Sequence, residues 1–336
     1  MKKDKTIIIA EAGGNHNGSI SKAFKLVDIA KKAGADYVKF QTFTADTLVS
    51  KNAPKAKYQE KNVKKISHHQ MIKNLEMNKK MHNRIYEYCK KKKIKFLSSV
   101  FSVSSLNILK KFKVDFIKIP SGEITNLPLL IAIGYLNKKT ILSTGMSTVS
   151  EIRNAIKKLK KSGLNHKKIF LLQCNTEYPT PFKDVNLKAM NSLKKIFKVK
   201  VGYSDHTKGI EASIAAVSMG ACIIEKHYTI SNKLSGPDHK ASLEPFDLEN
   251  LIKSIRNVEN AMGDGKKRVT KSEKKNIRIA RKSIYAFKKI NKGEPFNNKN
   301  LITLRPAVGI SPMNIYALFR KKAKKNYKAG DLITQK

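Results

Sequence analysis

The sequence predicts an α/β protein, a (β/α)8 TIM barrel followed by a small C-terminal domain. Three observations carry this: eight short β-branched runs separated by stretches of helical period, a polar cluster after each run, and a change of pattern near Gly263. The runs are residues 6–10, 37–43, 95–99, 116–120, 140–143, 169–174, 200–203 and 221–228. Eight strand–helix repeats over roughly 260 residues suit a barrel. A doubly wound sheet is the alternative, but no GxGxxG or GxxxxGK[ST] follows any run.

Between the runs the helical period is plain. Residues 20–33 place Ala23, Leu26, Val27, Ile29 and Ala30 on one face, and Gly34 closes them. After the barrel, residues 1–263, comes a basic, helix-compatible linker, 264–282. Residues 283–336 then carry short strands and turns at Lys292-Gly293 and Lys328-Ala329-Gly330. A tail of roughly fifty residues is small for a core of its own, so it is expected to lean on a barrel, its own or a partner's.

Composition narrows the function. The 336 residues include 69 Lys+Arg against 25 Asp+Glu, a formal charge of +44, yet 40% are hydrophobic, which excludes a mainly disordered chain. The lysines are spread along the chain, Trp is absent and aromatics make up only 7%, so stacking platforms for nucleic acid are scarce. No nucleic-acid partner is therefore expected, although such a field attracts an anionic substrate. The apolar runs fall far below the roughly 18 residues of a membrane span. The basic start is too short for a signal peptide. Three cysteines without CxxC or metal spacing, Cys89, Cys174 and Cys222, fit a reducing cytoplasm, with at least two as buried free thiols.

The strand ends hold the chemistry, as barrels require. In order they carry Glu11 with Asn15-His16-Asn17; Lys39 and Gln41; Ser98-Ser99; Lys118, Ser121 and Glu123; Ser143-Thr144; Asn175-Thr176-Glu177-Tyr178; Ser204-Asp205-His206; and Glu225, His227 and Thr229. Lys39/Gln41, Ser204/His206 and Glu225/His227 are each two apart, so each pair points the same way from its strand. Charges inside strands are costly unless they line a polar cavity, so one ring of acids, lysines, histidines and hydroxyls around one mouth is implied. His68, His69, His82 and His166 read as surface residues, and His16 and His239 as supports behind the site.

At these residues the chain resembles the sialic acid synthase family, which condenses phosphoenolpyruvate with amino sugars to nonulosonic acids. The matching motifs are Ala10-Glu11-Ala12-Gly13-Gly14-Asn15-His16-Asn17-Gly18, Val38-Lys39-Phe40-Gln41-Thr42-Phe43, Lys118-Ile119-Pro120-Ser121-Gly122-Glu123, Leu142-Ser143-Thr144-Gly145-Met146, Cys174-Asn175-Thr176-Glu177-Tyr178-Pro179, Gly202-Tyr203-Ser204-Asp205-His206, Glu225-Lys226-His227 and Ser235-Gly236-Pro237-Asp238-His239. The tail resembles the family's antifreeze-like (SAF) domain, with Arg305-Pro306 as its hallmark. The chain departs from the pattern at Ser98-Ser99-Val100-Phe101, where the family usually has Ser-Thr-Pro-Phe, at the second glycine, Gly14, and at Ala307.

The resemblance implies roles. His206 and His227 hold a divalent metal, Mn²⁺ first and Mg²⁺ or Co²⁺ as alternatives, with the other positions left to substrate and water; neutral imidazoles suit such ions. Glu11 orients or deprotonates the water that attacks C2. Lys39 and Lys118, with Ser99, Ser121, Ser143, Thr176 and Ser204, hold phosphoenolpyruvate. Gln41, Phe101, Glu123, Tyr178 and Asp238 hold the N-acylated amino sugar. Arg305 reaches over a partner's barrel in a domain-swapped homodimer. The expected reaction gives N-acetylneuraminate from N-acetylmannosamine; the alternative gives N,N'-diacetyllegionaminate from 2,4-diacetamido-2,4,6-trideoxymannose. A decayed, polyanion-binding barrel and an aldolase with a Schiff-base lysine are the rivals.

Overall fold

The computed structural model describes residues 5–63 and 66–334. The chain divides into two units, residues 1–263 and 264–336. In the first, eight parallel strands close in sequence order into a barrel: β1 (Ile7–Gly13), β2 (Tyr37–Thr42), β3 (Lys95–Val100), β4 (Phe116–Ile119), β5 (Lys139–Ser143), β6 (Ile169–Cys174), β7 (Lys200–Asp205) and β8 (Ile223–His227). A helix follows each strand on the outside, the first Ile20–Ala33 and the last Pro245–Ala261. The first runs as expected: Ser19 accepts from Lys22 N at its start, and Gly34, at φ 84°, closes it in the left-handed conformation.

Side-chain alternation along each strand sorts two apolar layers. Residues facing outward, such as Ile8, Val38, Ile117 and Ile224, pack against the helices. Residues facing inward near the strand starts, Ile9, Tyr37, Leu97, Phe116, Ile141, Phe170, Leu172 and Ile223, form a second cluster that plugs the barrel. Two positions further on, these inward rows turn polar: Ile9 gives way to Glu11, Tyr37 to Lys39, Leu97 to Ser99, Phe116 to Lys118, Ile141 to Ser143, and Ile223 to Glu225. The site therefore stands on an apolar floor one layer deep. On β7 the inward position of that layer is Gly202, because a Cβ there would lie 2.3 Å from Ile223 O and 2.8 Å from Leu172 Cδ2.

The connection from β2 to its helix Lys79–Lys92 is long and carries three short helices, Ala45–Leu48, Lys57–Asn62 and His68–Lys73. His82, expected on the surface, is fully buried. It shares a helix face with Ile85 and Cys89, and its Nε2 lies 2.9 Å from Thr42 Oγ1. Cys89 and Cys174 are buried free thiols, and Cys222 is half-buried and free. No helix among the described residues is long and apolar enough to cross a membrane.

The second unit pairs β9 (Ser283–Ala286) with β10 (Leu301–Leu304) in antiparallel register. It has a core of its own, built from residues such as Ile284, Ile290, Phe296, Leu301, Tyr327 and Ile333. This corrects the expectation that so short a tail lacks one. The expected helical linker is an α-helix only over Lys274–Ala280, and Ala307 N donates to Arg278 O at 2.8 Å, which joins the two segments.

Candidate active site

The polar inward residues meet in a cavity of about 240 Å³ at the C-terminal mouth of the barrel. Its centre is an ammonium between two carboxylates. Lys39 Nζ lies 3.2 Å from Glu11 Oε2, 3.2 Å from Glu225 Oε2 and 2.8 Å from Ser99 Oγ. Strand register makes this possible: Glu11 stands beside Lys39 on one side and His227 on the other, and Ser204 stands beside Glu225. Ser204 donates to Glu225 Oε1 at 3.1 Å, Lys118 Nζ approaches the same oxygen at 3.5 Å, and Gln41 Nε2 donates to Glu11 Oε1 at 3.0 Å.

Burial and pairing separate the two acids. Burial pushes the Glu11 carboxyl up to about 7, an effect that Lys39 only partly offsets. Burial also acts on Glu225, yet Lys118 and Lys39 together overcome it and hold that carboxyl down at about 2. One acid is fixed as an anion while the other can carry a proton near neutrality. Lys118 is lowered by burial despite Glu225. Ser143 Oγ is buried without a partner and so has an unused donor.

At the rim, His206 and His227 face one another with ring centroids 5.4 Å apart. His206 Nδ1 donates to the Asn175 carbonyl, and its Nε2, 2.9 Å from Tyr178 OH, carries a lone pair when the ring is neutral. Burial lowers this imidazole, but Cys174 and the Asn175 carbonyl outweigh burial and raise it above its ordinary range. His227 is held well below its ordinary range by burial and by His206, so its ring is neutral, and its Nδ1 is buried without a partner. These are donors a divalent first-row ion accepts. Among the described residues no group of three or more His, Cys, Asp or Glu forms a fuller ligand set.

Of the residues expected at the site, Glu11, Lys39, Gln41, Ser99, Phe101, Lys118, Ser121, Ser143, Thr176, Tyr178, Ser204, His206, His227 and Asp238 all line the cavity. Glu123 does not. It sits in the turn Ser121–Glu123, where its carboxylate accepts from Asn126 Nδ2 at 2.6 Å. Arg305 is exposed and follows β10 in the second unit. His16 and His239 are buried supports outside the lining: His16 Nδ1 accepts from Gly18 N, and His239 Nδ1 lies 2.6 Å from Thr229 Oγ1. Glu225, expected in the ring of strand-end residues because it is two before His227, lines the cavity although the sequence assigned it no role, and Cys174 lines it without having been expected there. Phe43, Leu48, Tyr58, Met71, Ile72 and Leu75 also line the cavity from the long connection after β2 and its approach, where no chemical motif marks them.

The NeuB family model matches residues 26–267, and the SAF domain model matches residues 281–336. The chain belongs to the NeuB family. Its relatives include synthases of N,N'-diacetyllegionaminic acid, pseudaminic acid and N-acetylneuraminate 9-phosphate. The N,N'-diacetyllegionaminic acid synthase of Campylobacter jejuni is 53% identical over 98% of this chain and 99% of its own. That of Legionella pneumophila is 43% identical over 96% of this chain and 92% of its own. Among solved structures, the N-acetylneuraminic acid synthetase of Leptospira borgpetersenii, in complex with citrate, aligns with a TM-score of 0.70 at 35% identity, covering 81% of this chain and 90% of that one. The family match spans the strands that supply Lys39, Lys118, His206 and His227.

Proposed function

We propose that this enzyme condenses phosphoenolpyruvate with 2,4-diacetamido-2,4,6-trideoxymannose and water to give N,N'-diacetyllegionaminate and phosphate. Two relatives named for that product, matched over nearly their whole length, support it over the N-acetylneuraminate expected first. The observation that carries the chemistry is Lys39 between Glu11 and Glu225 on the cavity floor.

In this reading Lys39 and Lys118 bind the phosphate and carboxylate of phosphoenolpyruvate, with hydroxyl donors from Ser99, Ser121, Ser143, Thr176 and Ser204. Gln41, Phe101, Tyr178 and Asp238 bind and orient the sugar. C3 of the enolpyruvate bonds to the aldehyde carbon as the C=O pair becomes an alkoxide that takes up a proton. Water adds at C2 with loss of one proton, and the tetrahedral intermediate loses phosphate by C–O cleavage, its C2 hydroxyl proton leaving with the phosphate as the ketone forms. Glu11 takes the proton of the attacking water, and Glu225 stays ionised to hold both lysines in place.

Charge supports a cation at the histidines. The lining sets two ammonium groups against three carboxylates, those of Glu11, Glu225 and Asp238, so a trianionic substrate needs further positive charge. His206 and His227 would hold a divalent ion, Mn²⁺ by resemblance, which when bound polarises the aldehyde oxygen. We also propose that the protein works as a homodimer in which Arg305 of a second copy closes the sugar side of the site.

Phosphate release tests the reaction. It should require phosphoenolpyruvate and sugar together, stop with chelator, and return with Mn²⁺. No release with any N-acylated hexosamine would overturn it. Mixing Arg305→Ala and His206→Ala chains should restore activity through heterodimers with one intact site, and verified heterodimers without activity would overturn the shared site.

A further inference from the structure

Every carboxylate and ammonium lining the cavity except Asp238 lies on a barrel strand, whereas the long connection after β2 contributes mainly apolar side chains, with Gln59 and Tyr58 its polar ones. Met71 on the helix His68–Lys73 and Leu75 in the turn after it, with Ile72 between them, supply an apolar stretch of the wall, and Met71 and Leu75 are only 2% and 8% exposed. Gly14 lets them in. A Cβ at Gly14 would lie 3.1 Å from Leu75 Cδ1, with Leu75 Cδ2 at 3.6 Å and Cγ at 3.7 Å, and no other residue's atom is nearer. Unlike Gly13, at φ 50°, Gly14 has no positive φ, so its missing side chain provides space and not backbone freedom.

We propose that Gly14, Met71 and Leu75 form a specificity wall that receives the C6 methyl group of a 6-deoxy sugar; the choice of sugar series rests on the reading above. A methyl group entering this wall leaves water without losing a hydrogen bond. A C6 hydroxyl placed there would lose its water partners, because neither Met71 nor Leu75 offers a good replacement. An acetamido group fits worse, since both its N–H and its carbonyl need partners. The wall therefore reads C6, while the polar residues on the strand ends read the rest of the sugar.

The test uses sugars that differ only at C6: 2,4-diacetamido-2,4,6-trideoxymannose against its 6-hydroxy counterpart, and, in parallel, the 6-deoxy analogue of N-acetylmannosamine against N-acetylmannosamine. The native enzyme should favour the 6-deoxy member of whichever series it turns over by about tenfold or more in kcat/KM. Leu75→Asn and Met71→Gln should bring that ratio close to one without changing KM for phosphoenolpyruvate. Gly14→Ala, which makes Leu75 give way by a few tenths of an ångström, should raise KM for the sugar alone, and Gly14→Ala combined with Leu75→Val should restore it. A folding defect in the polar variants leaves the glycine pair as the deciding measurement. Equal kcat/KM for the C6 pair in the native enzyme, or Gly14→Ala without rescue, overturns the wall. Preference for the N-acetylmannosamine series overturns only the substrate reading, and the wall is then judged on that series.

Discussion

Asp205 and Lys226 form a 2.9 Å ion pair on the outward side of β7 and β8, in a layer filled mainly with apolar side chains. Each is the chain neighbour of a rim histidine, Asp205 of His206 and Lys226 of His227. Asp205 also accepts from Thr207 N, Thr207 Oγ1 and Ser213 Oγ, and Lys226 donates to Thr207 O at 2.7 Å. The network fixes the turn by which His206 leaves its strand. Lys226→Met should destabilise the fold by about 3–5 kcal/mol, because it leaves a buried carboxylate unpaired. Urea unfolding reads this, and an unchanged midpoint would contradict it.

Gly202 is required by contact, since its Cβ would meet the backbone oxygen of Ile223, which cannot rotate away. Gly202→Ala should cost about 3 kcal/mol. A thermal melt within error of the native protein would show that β7 and β8 can separate without loss.

Lys39 and Lys118 are expected to act on phosphoenolpyruvate and not on the sugar. Lys118→Met should lower kcat/KM for phosphoenolpyruvate by roughly 100-fold, the loss of a charged hydrogen bond or two. KM for the sugar should change little. Borohydride with pyruvate should leave the chain unmodified; a reduced adduct on Lys118 would favour the Schiff-base rival.

With Glu11 acting as base, its carboxyl at about 7 sets the pH profile. Its active form is the carboxylate, so kcat/KM should rise as pH increases through about 7 and level off above it. Glu11→Gln should lower the plateau by about 100-fold or more and remove this part of the rise. The substrate's own ionisation is common to both enzymes, so comparing the profiles isolates Glu11. An identical rise in Glu11→Gln would assign it elsewhere.

The barrel and most of the site were legible in the sequence because both obey the period of a strand. Once Glu11, Lys39, Lys118 and His227 are placed on inward positions at strand ends, the closed barrel brings them together without further information. The residues that escaped have other reasons for their place. His82 carries a polar ring on an otherwise apolar helix face, and its burial depends on Thr42, a partner forty residues away. Glu123 lies in a turn, where the nearby Asn126 decides its direction. Met71 and Leu75 belong to a connection of short helices whose path follows from packing and not from any repeat. The Gly14 contact with Leu75 could not be read from a glycine alone.

Product identity under competition tests the proposed reaction most directly. The enzyme would be given phosphoenolpyruvate, Mn²⁺ and equal concentrations of 2,4-diacetamido-2,4,6-trideoxymannose and N-acetylmannosamine, and the nine-carbon acids formed would be resolved by mass. N,N'-diacetyllegionaminate should dominate the early product. N-acetylneuraminate in excess would contradict the substrate reading, and neither acid would contradict the condensation itself.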